Sequence, residues 1–216
     1  TTPTQRVIPY TQVRQADVMW SKRVWRTIDL REKINQPLYY PLRPVSGTKS
    51  LFEVIKVGVE EGTLTAYDVE YDDFTLPLTK AEVSKGILTR YELKKNYDEY
   101  GEEIAGSADT IWVPIESDAI SAYRLKEDWF FDRERSTMEV RILGICPVRL
   151  NFDDNGEVRG NDPMFWIYFP EARYVFANYD VFNRQNDAER RSFEDIFWKR
   201  MFNSYAYKIS NVYIGY

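Results

Sequence analysis

Few residues in this chain are candidates for chemistry, and the strongest constraint is a missing residue type. The sequence has no histidine and one cysteine, Cys146. That removes mechanisms built on a Ser-His or Cys-His pair and the commonest zinc and iron ligand sets. A lone cysteine also excludes an intrachain disulfide. Ser46-Gly-Thr-Lys49 has the Ser-x-x-Lys spacing of penicillin-binding enzymes, but the companion Ser-Asp-Asn and Lys-Thr-Gly elements are missing, so a loop turn is expected. Gly47-Thr-Lys-Ser50 lacks the residue order and the upstream glycine of a phosphate loop. Asn151-Phe-Asp153-Asp-Asn155-Gly156, with Asp162 completing a twelve-residue span, imitates the oxygen spacing of a calcium loop. A calcium loop needs flanking helices, an acidic first ligand and a bidentate Glu at its end. Here strand-like runs flank the stretch, Asn opens it and Asp closes it, and Asn-Gly favours a primed hairpin turn. The pairs Asp72-Asp73, Glu102-Glu103 and Asp153-Asp154 are sequence neighbours in turn-like segments and read as solvated loop charge. A general acid/base pair assembled from distant carboxylates, for instance Glu134 and Asp128, is open in principle, but no feature selects one. No catalytic, metal or cofactor site is expected.

Composition sets the class. Hydrophobic residues make up 44% and aromatic residues 16% of 216, enough for a substantial core in one domain or a domain with a small lobe. The net charge of -5 offers no general attraction to phosphate backbones or anionic lipids, so nucleic acid is not an expected partner. No run approaches the ~18 apolar residues of a membrane span. The opening TTPTQRVIPY lacks a signal-peptide h-region, which fits a cytosolic protein or a mature secreted one equally.

The elements that must position any site follow from periodicity. Residues 1–16 are polar and aperiodic and read as an extended arm, ahead of a single domain over 17–205 and a tail over 206–216. Val18, Trp25 and Ile28, with Trp20 and Val24 beside them, recur at helical spacing, with Asp29 four before Lys33. The spacing predicts a helix from Asp17 to about Asn35, stopped by Pro37. Short helices are expected over Ser50–Val59 and, from the Thr79/Glu82 capping box, over Leu76–Ile87, with a strand over Thr63–Val69. The apolar-poor stretch 92–110 predicts a mobile loop and a lobe division. Beyond it, Ala122–Phe131, Thr137–Phe152 and Met164–Phe169 read as strands, with Cys146 buried beside Val140, Ile142 and Val148. A last helix is expected from about Asn186, capped with Glu189, to Asn203, its inner stripe Phe193, Ile196, Phe197 and Met201. The fold class is therefore α+β, an antiparallel sheet from the second half covered by the N-terminal and C-terminal helices.

Basic positions Lys22, Arg23, Arg26, Arg190, Arg191, Lys199 and Arg200 cluster on the two longest expected helices, and an acidic loop spans Asp98–Glu103. Opposite charge on one molecule suits head-to-tail self-association. Trp20 and Trp25 point in directions that one core can hardly bury together. The expected partner interface is therefore Trp20, Lys22, Arg23, Arg26, Trp198 and Phe202, with solvated helix faces and core burial as the competing roles.

Asp17–Pro41, DVMWSKRVWRTIDLREKINQPLYYP, resembles the signature of the GldN/PorN family, a gliding-motility and type IX secretion component of Bacteroidetes. So, in the same order, do SLFEVIKVGVEEGTLTAYD, DAISAYRLKEDWFFDRERSTMEVRILGICPV, FWIYFPEARYVFANYDVFN and SFEDIFWKRMFNSYAYKISN, covering about residues 14–212. The resemblance implies a non-enzymatic periplasmic subunit, held at the outer membrane through a lipoprotein of the GldK/PorK kind with which it forms a large ring. It also implies contact with the periplasmic part of an inner-membrane motor of the GldM/PorM kind. Two other readings stand beside it: a secreted carboxylate-based hydrolase, and a ligand-binding module.

Overall fold

Twelve consecutive residues one strand in from the edge of the sheet, Val18–Asp29, form the strand β1 where the spacing predicted a helix. Val24 and Ile28, four apart, share a face in both geometries, because four is an even number and also close to one helical turn. Trp25 separates the two cases. In a strand it lies on the face opposite Val24 and Ile28, and it packs there with Cys146 and Trp166. Val18, Val24, Thr27, Ile28 and the two tryptophans all favour a pleated surface, and pairing on both sides of β1 overrides the helical reading. The expected Asp29–Lys33 helical pair is replaced by Asp29 with Arg31 at 2.6 Å, which holds the Asp29 carboxyl below the usual range.

The computed structural model describes residues 6–45, 47–94, 100, 109–152, 157–182 and 190–211. After β1 come α1 (Gln36–Tyr39), α2 (Leu51–Glu61), β2 (Ala66–Tyr67) and a π-helical turn over Glu82–Ile87. Then follow β3 (Thr89–Lys94), β4 (Asp109–Pro114), β5 (Ile120–Asp132), β6 (Thr137–Phe152), β7 (Val158–Pro163) and β8 (Trp166–Tyr168). The chain closes with α3 (Phe169–Phe176), α4 (Phe193–Trp198) and β9 (Tyr205–Asn211). The main sheet runs β2-β8-β6-β5-β1-β9 with β7 beside β6, and β3 and β4 form a separate pair. Every pairing is antiparallel, so the α+β class holds. The sheet is not confined to the second half, however, since β1 lies between β5 and β9.

Local signals set the ends of these elements. Ser50 caps α2 by accepting from the Glu53 N–H at 3.2 Å, and Gly62 ends it at φ 86°, a left-handed position that favours glycine. Glu82 accepts from the Thr79 N–H at 2.7 Å, and the Glu82 N–H donates to the Thr79 hydroxyl at 3.3 Å, as a capping box requires. The expected C-terminal helix is shorter and starts later: its capping box is Ser192 with Asp195, and Met201 and Phe202 lie beyond its end. Asn186 and Glu189 lie outside the described residues, as do Ser46, Asp98, the Glu102-Glu103 pair and the turn 153–156. On either side of that turn β6 and β7 pair antiparallel, Asn151 opposite Gly160. Residues 205–211, most of them assigned to the tail, form a strand of the sheet.

The sheet buries two unequal faces. On one, Ile28, Tyr123, Leu125, Ile142 and Ile145 meet α2, α3 and α4 through Phe52, Ile55, Phe169, Phe176 and Phe197. On the other, Trp25, Cys146 and Trp166 are covered by Tyr67, Val69 and Phe74. A bulge assigns the residues of β6 between them. Register passes from Glu127 opposite Ile142 to Lys126 opposite Gly144, so Leu143 is the extra residue and the alternation inverts. Cys146 is buried as expected, but on the face away from Ile142, and burial pushes its thiol up to about 12. Gly144 permits the cover, because a Cβ there would stand 2.5 Å from Phe74 Cζ.

Candidate functional site

The densest polar and aromatic arrangement lies where the arm crosses the sheet edge beside α3 and α4. Pro170 at the start of α3 suits the first helical turn, and the helix aims Arg173 inward, where it is 2% exposed. Arg173 Nε and Nη2 donate to Glu194 Oε1 at 2.9 and 2.6 Å, joining α3 to α4. The guanidinium lies against both of two mutually stacked rings, 4.6 Å from Tyr10 and 4.7 Å from Trp198, whose centroids are 6.2 Å apart. Burial raises the Glu194 carboxyl above its usual range, with Arg173 acting against it, and its Oε2 has no partner among the described residues.

Tyr10 anchors the arm. Its hydroxyl donates to the Ile142 carbonyl at 3.4 Å, and burial pushes the phenol up. Thr11 accepts from Arg135 at 2.9 Å and from Arg141 at 3.4 Å, and Arg141 also lies 5.4 Å from the Tyr10 ring. This part of β6 lies beyond its pairing with β8, so the arm covers a strand edge that would otherwise present bare backbone. A groove of about 420 Å³ runs beside it, lined by Ile8, Thr11, Glu139, Glu194 and Trp198 among others.

The six residues expected at an interface are distributed more widely. Trp20 is 40% exposed on β1, with the Lys22 ammonium 5.3 Å from its ring. Arg23 is paired with Asp128 at 2.8 Å, so Asp128 serves a cross-strand ion pair. Arg26 donates to the Ser204 hydroxyl and carbonyl at 2.8 and 2.9 Å. These three basic residues stand on a strand, not a helix, and two of them hold the sheet together. Trp198 is 46% exposed and belongs to the Arg173 stack. Phe202 packs on Phe197 and under Arg200, which pairs with the fully buried Glu127 at 2.8 Å. Of the six, only Trp198 is brought into the arm site.

Sequence reasoning missed Tyr10, Arg173 and Glu194 in that role. No helix was expected at α3, although Pro170 and the acidic residue after it are helix-start signals that could have placed Arg173, and no pattern marks Tyr10. It also missed a second assembly. Asp72 accepts from Trp25 Nε1 at 2.6 Å and from Lys126 Nζ at 3.1 Å, and Lys126 also donates to the Asp72 carbonyl. Burial lowers the Lys126 ammonium below its usual range, and Asp72 opposes that shift. In both assemblies the carboxylate and the cation are turned on one another, an arrangement that joins elements of the fold.

A family model described as gliding motility associated protein GldN matches residues 13–214, nearly the whole chain. No curated protein matches it.

Proposed function

The chain belongs to the GldN family of gliding motility associated proteins, and on that premise we propose that it is a structural subunit of a periplasmic ring in the type IX secretion and gliding apparatus. In this reading it self-associates, assembles with an outer-membrane lipoprotein and contacts the periplasmic part of an inner-membrane motor. The family match over residues 13–214 carries the proposal. The surface agrees with it. Trp20, Trp112, Trp198, Tyr205 and Ile209 are each at least 40% exposed, on β1, β4, α4 and β9, which suits a subunit with several neighbours. The buried carboxylates Glu127 and Glu194 each face their own arginine, which favours an organising role over a hydrolytic one.

Co-expression with the lipoprotein partner, followed by native mass measurement, tests the reading. Wild type should form a high-order complex. Trp198→Ala and Lys22→Glu should weaken it while leaving the monomer's melt within a few degrees of wild type, because an exposed anchor costs binding more than folding. Arg23→Glu is a poorer probe, since it sets two carboxylates against each other in the Asp128 pair. The reading fails if wild type remains monomeric with the lipoprotein present.

A further inference from the structure

The free edges of the main sheet are not alike. β2 has two residues, and β7 carries Arg159 and Asp162 and ends at Pro163, features that discourage pairing. The stretch of β6 around Ile142 is covered by Tyr10 of the arm. β9 has neither the brevity of β2, the proline of β7 nor a covering arm, and its one irregularity is a bulge at Tyr207, where register against β1 passes from Lys208 opposite Trp25 to Ala206 opposite Arg26. It is seven residues long and exposed throughout, and among the described residues no strand lies on its outer side. Tyr205, Tyr207 and Ile209 are 56%, 44% and 61% exposed. Its single charged residue, Lys208, folds back over the Trp25 ring, its Nζ 4.2 Å from the centroid.

We propose that β9 is a docking edge for an extended segment of another protein, one that alternates apolar and acidic side chains and adds to the sheet as a further strand. This goes beyond the ring reading and does not depend on it. Main-chain hydrogen bonds would supply the attachment, and the side chains of β9 and its neighbours the selectivity. The surroundings call for carboxylates. Lys208 and Arg124 lie over the rings of Trp25 and Tyr207, Lys22 lies over Trp20, and Arg26 is held by Ser204. Thus a basic strip borders this edge on each face of the sheet, Lys208 and Arg124 on the face of Trp25 and Lys22 and Arg26 on the face of Val24, on a protein whose net charge is -5. The same strip disfavours a second copy of the chain as occupant. Two β9 strands paired antiparallel over their whole length place Lys208 opposite Lys208, and like charges directly opposite oppose pairing.

The test uses the intact chain and three synthetic peptides: Thr-Val-Glu-Val-Glu-Val-Thr, the same peptide with Lys for each Glu, and the acidic peptide N-methylated at alternate residues. Binding is followed by fluorescence anisotropy, and the site is mapped by amide hydrogen exchange. The acidic peptide should bind on the order of tenfold more tightly than the basic one at low salt, with the difference shrinking as salt rises. N-methylation should abolish binding, and new protection should appear in Tyr205–Asn211. Lys208→Glu should shrink the preference for the acidic over the basic peptide. Because Lys208 also packs on Trp25, Ile209→Glu provides a second variant, which sets a carboxylate against the acidic peptide and should lose its binding with an unchanged melt. Equal binding of acidic and basic peptides, protection that maps elsewhere, or a dimer through β9 in sedimentation would each overturn the proposal.

Discussion

The two faces of the sheet are sealed in different ways. One is covered by three helices whose aromatic rings interlock: Phe169 lies 6.0 Å from Phe176 and 5.2 Å from Phe197. The other has a small plug of Trp25, Cys146 and Trp166 under a loop, and a polar latch fastens it. Asp72 reaches down from that loop to Trp25 and Lys126. A helix satisfies its own backbone and can cover a sheet with apolar side chains alone. An irregular segment has little apolar surface to offer, so directed hydrogen bonds and a charge pair do more of the work.

If this contrast is correct, the largest losses belong to the helix face. Phe169→Ala should cost about 3–5 kcal/mol in denaturant unfolding, the usual range for a large cavity in a core that cannot collapse. A loss below about 1 kcal/mol would show the helices to be loosely seated. On the loop face, Asp72→Ala should cost about 1–3 kcal/mol, because it leaves Trp25 Nε1 without its acceptor and the buried Lys126 ammonium with the residue-72 carbonyl but no counter-charge. The double variant Asp72→Ala/Lys126→Met should recover part of that loss, since it removes the stranded charge as well. If the two losses simply add, the latch is not acting as a pair.

Cys146 reports whether the faces open together. Buried and with its thiol pushed up to about 12, it should resist thiol reagents in the folded protein. Labelling that keeps pace with global unfolding means one cooperative unit. Labelling that runs ahead of it, and is accelerated by Asp72→Ala, means that the loop face opens by itself.

The smallest effect concerns Glu194. Its folded pKa is raised, so the folded state holds the proton more tightly than the unfolded chain, whose value is about 4.3. The stability from this linkage is present below about pH 4.3 and is lost as pH rises through the raised value. The melting temperature of wild type minus that of Glu194→Gln should therefore decline over that window. A difference that grows with pH would mean that Arg173 outweighs burial.

Local instructions were legible in the sequence wherever a few neighbouring residues suffice. The short helix from Ser50, the Thr79/Glu82 box and the long strands β5 and β6 form as their spacing requires, because the groups that satisfy them lie within a turn or along one strand. Composition determined a substantial core and the absence of histidine chemistry, and the ordered aromatic strings pointed to the family. What needed the tertiary structure is whatever depends on a distant partner. Val18–Asp29 carries a pattern that fits a helix, and it becomes a strand because β5 and β9 satisfy its backbone from both sides. The face of Cys146 depends on one bulge residue, Leu143, that no alternation rule places. Arg173 meets Tyr10, 163 positions earlier, only because α3 and the arm converge on one sheet edge, and sequence spacing holds no record of an encounter at that separation.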